Sequence, residues 1–299
     1  MASTWKGKTR GGVWGYKFFI FILKKFGLKP SYFVLRIVTV YFFLFSYKSS
    51  SSIFYYFNKV LKFSFLKSLL GIYKTYNIFG ETLIDKVAIR AGISNNFSFY
   101  MDGEENLHKM AAGNQGGIMI SAHVGNWDIS GHLLTNRLNA KIHIVMFDAE
   151  HRNIKKYLDS VMGNKDINII VVKDDFSHIF HISKALANKE LICIHGDRYV
   201  QGSKVIAVDF FGKKTYFPYG AFHLASKLNV PYTFVFGFKE ENNHYHFYST
   251  DLKVHNGGVR PLVEEYSKKL EEVLRRYPEQ WFNFYDYWED VPEEFVMEK

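Results

Sequence analysis

"ISAHVGNWDISGHLL", residues 120–134, decides the reading of the fold. An apolar run, Gly117-Ile118-Met119-Ile120-Ser121-Ala122, stops at His123, and its length and content predict a buried strand. Val124-Gly125-Asn126 makes a turn, with Gly125 allowing the backbone to reverse tightly. Trp127-Asp128 then opens a helical pattern. In open α/β sheets, function gathers at the carboxyl ends of strands, and His123 sits at such an end. An imidazole that titrates near neutrality is a natural general base, and a carboxylate beside it would fix its tautomer and stabilise the imidazolium. Across a strand–turn–helix, a five-residue offset can bring Asp128 to His123. The spacing alone also fits ordinary roles: Asp128 as a first-turn helix residue favoured by the dipole, and His123 as a strand-end histidine.

Outward from this stretch the chain alternates. Short β-branched or aromatic runs lie at Ile118–Ser121, Ile142–Phe147, Ile167–Val172, Leu191–Ile194, Val205–Phe211, Thr233–Phe238 and His244–Ser249. Helical patterns separate most of them, at Trp127–Leu138, His151–Met162, Phe176–Ala187 and Ala221–Leu228. Strands alternating with helices predict an α/β fold with a mixed, mainly parallel sheet flanked by helices. Only "KEENN" separates the last two strands, which predicts an antiparallel pair. From 53 to 116 the pattern reads as helical, and "KSSSS" at 48–52 reads as a polar break. A closing amphipathic helix covers about Pro261 to Arg276, with Leu262, Val263, Tyr266, Leu270, Val273 and Leu274 on one face.

The start differs from the rest. Lys6, Lys8 and Arg10 precede an apolar segment, Val13–Leu23; Lys24, Lys25 and Lys29 follow, and a second apolar segment covers Tyr32–Phe45. No small-residue cleavage site follows, which argues against a signal peptide. A membrane-crossing helix needs about 20 apolar residues, and neither segment reaches that without a charge. Residues 1–50 are therefore expected to form a membrane-associated helical hairpin dipping into one leaflet, and 51–299 the α/β domain. The chain is 47% hydrophobic and 18% aromatic, with a formal net charge of +9, so apolar surface is left over and an anionic partner is favoured. No nucleic-acid-binding module is present. The single cysteine, Cys193, excludes internal disulfides and finger-type zinc spacing, and it reads as a core thiol. The pairs His178/His181 and His244/His246 share faces but have no evident acidic companion, so no metal and no cofactor is expected.

"HVGNWD" resembles the H-x4-[DE] motif of glycerolipid acyltransferases, and more narrowly the six-residue form found in bacterial lipid A biosynthesis lauroyl/myristoyl acyltransferases. The block from 195 to 231, "HGDRYVQGSKVIAVDFFGKKTYFPYGAFHLASKLNVP", is similar to that family's D-[QR]…G…V-x-F-F-G…G…L-A…P pattern, and "YPEQWFNFYDYW" is similar to its closing segment. Two features depart: Asp128 stands in place of the more usual glutamate, and the tail reads Asn283-Phe284-Tyr285-Asp286-Tyr287-Trp288 where the family ends in a basic pattern. The resemblance implies transfer of a fatty acyl chain from an acyl carrier protein or acyl-CoA to a hydroxyl or amine of a membrane lipid, at the cytoplasmic face of a bacterial inner membrane. It implies that His123 deprotonates the acceptor, that Asp128 holds His123, and that no acyl-enzyme forms. Backbone N–H groups at Gly125 and Asn126, or Arg198, would stabilise the oxyanion; Arg198 could equally grip an acceptor phosphate or carboxylate. Tyr219 and Gly220 lie where the superfamily often binds its acceptor, although they also read as a strand-to-helix turn. A thioester hydrolase and a non-catalytic lipid-binding protein on the same fold are the alternatives.

Overall fold

A computed structural model describes residues 13–297, apart from 94–96, 114, 139, 147–167, 174, 176 and 256. The expected helix His151–Met162 and the basic start, Lys6 to Arg10, lie outside the described residues.

Two apolar helices come first, α1 (Val13–Phe26) and α2 (Leu28–Phe45), turned at Gly27 with φ +83°. A third, α3 (Tyr47–Tyr55), runs into one π-turn, and α4 (Phe65–Arg90) follows. The hairpin buries Ile20, Leu23, Leu28 and Leu35 against Ile84, Val87 and Ala88 of α4. Its other side leaves Trp14, Phe18, Phe21, Phe33, Tyr41 and Phe45 exposed. By length and composition α2 is apolar enough to cross a membrane. The expected break at 48–52 is instead inside α3. There Ser52 Oγ donates to the carbonyl of Lys48 at 3.1 Å, so a serine run that competes with helix elsewhere here bonds back onto its own turn.

The α/β part runs β1 (Ser98–Asp102), α5 (Glu104–Ala112), β2 (Gly117–Ser121), α6 (Trp127–Leu138), β3 (Ile142–Met146), β4 (Asn168–Val171), α7 (Ser177–Ala187) and β5 (Leu191–His195). It continues with β6 (Val205–Phe210), β7 (Lys213–Pro218), α8 (Tyr219–Lys227), β8 (Pro231–Lys239), β9 (His244–Ser249), β10 (Lys253–Val254), α9 (Val259–Arg276) and β11 (Val296–Met297). The main sheet has the order β1-β9-β8-β2-β5-β3-β4, with β10 on β8. Every pair along that order is parallel except β8 with β9, which form the antiparallel pair predicted across "KEENN". Strand β2 is central and buried along its whole length, which is why its sequence is uniformly apolar rather than alternating. Helix α9 buries Leu262, Val263, Tyr266, Leu270, Val273 and Leu274 in the main core.

The stretch 53–116 is not all helical, because β1 lies within it as a short, half-exposed edge strand parallel to β9. The run Val205–Phe211 does not join the main sheet. It pairs with β7 in a separate three-stranded sheet, through a two-residue turn with Phe211 at φ 55° and Gly212 at φ 71°.

Candidate active site

The turn after β2 is held from two sides. The Gly125 amide donates to the carbonyl of Gln280 at 2.9 Å, and the Asn126 amide donates to the carbonyl of Gly237 at 2.8 Å. Gly125 has φ +59°, and a Cβ there would lie 1.9 Å from the Gly237 carbonyl oxygen. Both the left-handed backbone and the close approach demand glycine. Gly125→Ala is expected to cost roughly 2–4 kcal/mol, combining strain and overpacking, and thermal denaturation would read this as a lowered Tm. Asn126, nearly fully buried, caps α6: its Oδ1 accepts from the Ile129 amide at 3.4 Å, and its Nδ2 donates to the Thr82 carbonyl at 3.1 Å. In this structure both amides are paired with backbone carbonyls, bonds that shape the turn.

His123 leaves the end of β2 with its side chain 19% exposed. Strand β5 pairs with β2 so that Ser121 faces His195, and this register carries Asp197 to the imidazole. His123 Nδ1 lies 2.8 Å from Asp197 Oδ1, and the His123 amide donates to Asp197 Oδ2 at 3.0 Å. An ionised carboxylate only accepts, so Nδ1 carries the proton and Nε2 is left as the basic nitrogen. Asp197 is fully buried, accepts also from Trp281 Nε1 at 3.2 Å, and its main-chain carbonyl accepts from the Tyr287 hydroxyl at 2.6 Å. Burial alone would raise its pKa. The charge and hydrogen bond of His123, with Arg198 beside them, outweigh burial and hold it well below the usual carboxylate range.

Asp128, the carboxylate singled out by spacing, pairs with Lys86 of α4, Oδ2 to Nζ at 2.7 Å. It lies close enough to favour the charged form of His123, but the Nδ1 partner is Asp197. Desolvation, and then Arg198, push the His123 pKa below the ordinary histidine value, against the opposing pull of Asp197 and Asp128. His195 lies tilted against His123 with ring centroids 4.3 Å apart, and burial pushes its pKa down to about 3, so it is neutral at physiological pH. Donor atoms of His123, His195 and Asp197 lie within 4.8 Å of one another, and among the described residues this is the group that could hold a cation.

Arg198 is not a plain surface residue. Its Nη2 donates to the Phe282 carbonyl at 2.5 Å, its guanidinium lies 6.0 Å from the Tyr285 ring, and its Nε is buried with no hydrogen-bond partner. Tyr219 and Gly220 open α8. The Tyr219 amide donates to the Lys204 carbonyl, the Tyr219 ring stacks on His223, and a Cβ at Gly220 would meet open space. Those contacts fit the strand-to-helix turn and do not bring the two residues to His123.

Sequence reasoning missed Asp197 and His195 as partners of His123. The signal was present, since "HGD" directly follows the apolar run Leu191–Ile194 and so marks a second strand end. Cys193 sits half-buried on β5, its thiol pushed up to about 12 by burial. His246 does have acidic companions: its Nε2 lies 2.7 Å from Asp102 Oδ2, on the edge strand that was missed, and its Nδ1 lies 3.6 Å from Glu240.

A mainly parallel sheet flanked by helices thus carries a His–Asp pair at the ends of its central strands. Residues 76–290 match the family described as bacterial lipid A biosynthesis acyltransferase, and the chain belongs to that family. Its members are membrane-associated acyltransferases that act on lipid. No curated protein matches the chain.

Proposed function

We propose that the protein moves a fatty acyl chain from a thioester donor, on acyl carrier protein or coenzyme A, directly to a hydroxyl or amine of a membrane lipid. The observation that carries this reading is the His123–Asp197 pair, with the proton fixed on Nδ1, beside an apolar cleft. Trp127 and His195, both packed on the His123 ring, line that cleft together with Leu134, Ile144, Val235 and Phe247. The lining is apolar, and its cavity of about 30 Å³ would have to widen to take an alkyl chain whose thioester end lies at His123.

The geometry supports general-base chemistry. His123 Nε2 takes the proton from the acceptor hydroxyl as its oxygen attacks the thioester carbonyl. Asp197 holds the imidazole and stabilises the imidazolium; Asp128, paired with Lys86, adds negative charge nearby. The tetrahedral intermediate collapses, the C–S bond breaks, and the imidazolium returns its proton to the leaving thiolate. Arg198, whose charge acts on His123 and whose Nε is buried without a hydrogen-bond partner, would supply a donor to developing negative charge on the oxyanion or to an anionic headgroup.

The hairpin, residues 13–45, presents aromatic side chains with Lys24 and Lys25 between them, which suits an anionic leaflet. Phe65, Leu66 and Leu70 of α4 are exposed as well. We assign the enzyme to the cytoplasmic face of a bacterial inner membrane, residues 1–50 acting as its membrane-facing appendage. Deleting residues 1–47 is expected to release the protein from sedimented membranes after a high-salt wash; unchanged pelleting would place the anchor on α4 instead. Lipid profiling of a strain lacking the gene tests the reading as a whole. One lipid species short of an acyl chain is expected to accumulate, and a profile identical to the parent would count against a lipid acceptor.

A further inference from the structure

A buried polar network joins the membrane-facing hairpin to the His123 turn. Its centre is Asp85 on α4, fully inaccessible to solvent. Asp85 accepts from Lys239 Nζ and from the hydroxyls of Tyr32 and Tyr245. Lys239, at the end of β8, also contacts Glu81 at 3.1 Å and the Tyr32 hydroxyl at 3.0 Å. Two routes lead from this centre to the turn. The Tyr245 hydroxyl meets Asn126 Nδ2 at 3.3 Å. The Gln280 side chain brackets Lys239, accepting from its amide at 2.9 Å and donating to its carbonyl at 2.6 Å, while the Gln280 carbonyl accepts from the Gly125 amide. Among the described residues Tyr32 is the member on α2, and it joins the network through its hydroxyl and through its ring, 4.6 Å from Lys239 Nζ.

A buried ion pair is poor glue: well-packed apolar side chains often hold helices together as well or better. What this network adds is direction. Each bond sets the position of an atom, and the last atoms set belong to Gly125 and Asn126, which carry His123 and start the helix of Asp128. We propose that Asp85 is a positioning residue for acyl transfer, fixing the His123 turn through Tyr245 and Lys239 and tying that turn to the seating of the hairpin through Tyr32. The rate readout of this proposal rests on the acyl-transfer reading.

The test uses the full chain in lipid nanodiscs and the variants Tyr245→Phe, Tyr32→Phe and Asp85→Asn. It measures kcat and donor KM alongside hydrogen–deuterium exchange of residues 123–130. Tyr245→Phe is expected to lower kcat about tenfold with donor KM within about twofold, and to raise exchange in 123–130 by a similar factor. Tyr32→Phe, which removes one oxygen from the hairpin, is expected to do the same to a smaller extent, about threefold. If Asp85→Asn does not fold, these two variants still decide. A lowered Tm with kcat and exchange at 123–130 both unchanged in Tyr245→Phe and Tyr32→Phe would overturn the proposal and leave the network a purely structural one. Exchange does not depend on turnover, so absence of acyl transfer in the wild type would remove the acyl-transfer reading while the exchange response still judged this one.

Discussion

Replacing His123 by alanine is expected to lower kcat by about two or more orders of magnitude while the protein stays folded, the scale that loss of a general base produces. Nε2 is the basic nitrogen free of the Asp197 bond, and no other side chain in the described site can replace it. His195, beside it, has lost basicity to burial, which pushes its pKa down to about 3. Folding should survive because His123 is partly exposed and its main-chain bonds, from its amide to Asp197 and from the Phe282 amide to its carbonyl at 3.1 Å, do not need the ring. Steady-state kinetics with circular dichroism on the same sample checks both halves. A folded variant with near-normal kcat would remove His123 from the mechanism.

Asp197→Asn is expected to cost kcat roughly two to four orders of magnitude, because an amide presenting its NH2 group to Nδ1 would favour the wrong tautomer. The pH profile separates this from a folding defect. In the wild type His123 titrates below the ordinary histidine value, so the basic, active form persists to lower pH and the acid limb of kcat/KM lies below that value. Asp197 raises the His123 pKa; without it, the residual activity should show an acid limb at still lower pH. The stability sign is also fixed. The folded-state pKa of Asp197 is depressed, so its contribution is present above the unfolded carboxylate value and is lost as pH falls through the folded one. His123 is depressed too, so below its unfolded pKa the unfolded chain takes up a proton that the folded chain resists, and stability falls further with acidity. Asp197→Asn with an unaltered kcat would make Asp128 the orienting carboxylate, as its spacing suggests.

How far the site was legible follows from which contacts are local. The strand–turn–helix around His123 could be read because each part is specified within a few residues: an apolar run for a strand buried on both faces, Gly125 for a left-handed turn, Asn126 to cap a helix. The Nδ1 partner could not be read from spacing. Asp197 comes 74 positions later and meets His123 only because β5 pairs with β2 in one register. Asp128, five positions on, was the visible carboxylate, but Lys86 on α4 takes its Oδ2, and nothing local places α4 there. The edge strand β1 escaped for a related reason. Its half-exposed pattern is weak, and its partner β9 lies far along the chain. The hairpin at 13–45 was legible in outline because its composition is extreme, while the role of Tyr32 within it rests on packing against α4 and β8.

The most direct measurement is a single reaction: the full chain, a labelled acyl-carrier-protein thioester, and a membrane lipid extract, with products resolved by mass spectrometry. The account predicts a labelled acyl chain on lipid, dependent on His123, with little free fatty acid and no acylated protein. Release of free fatty acid with or without lipid would mean a thioester hydrolase, and an unconsumed thioester would mean a lipid-binding protein; either result would contradict the account.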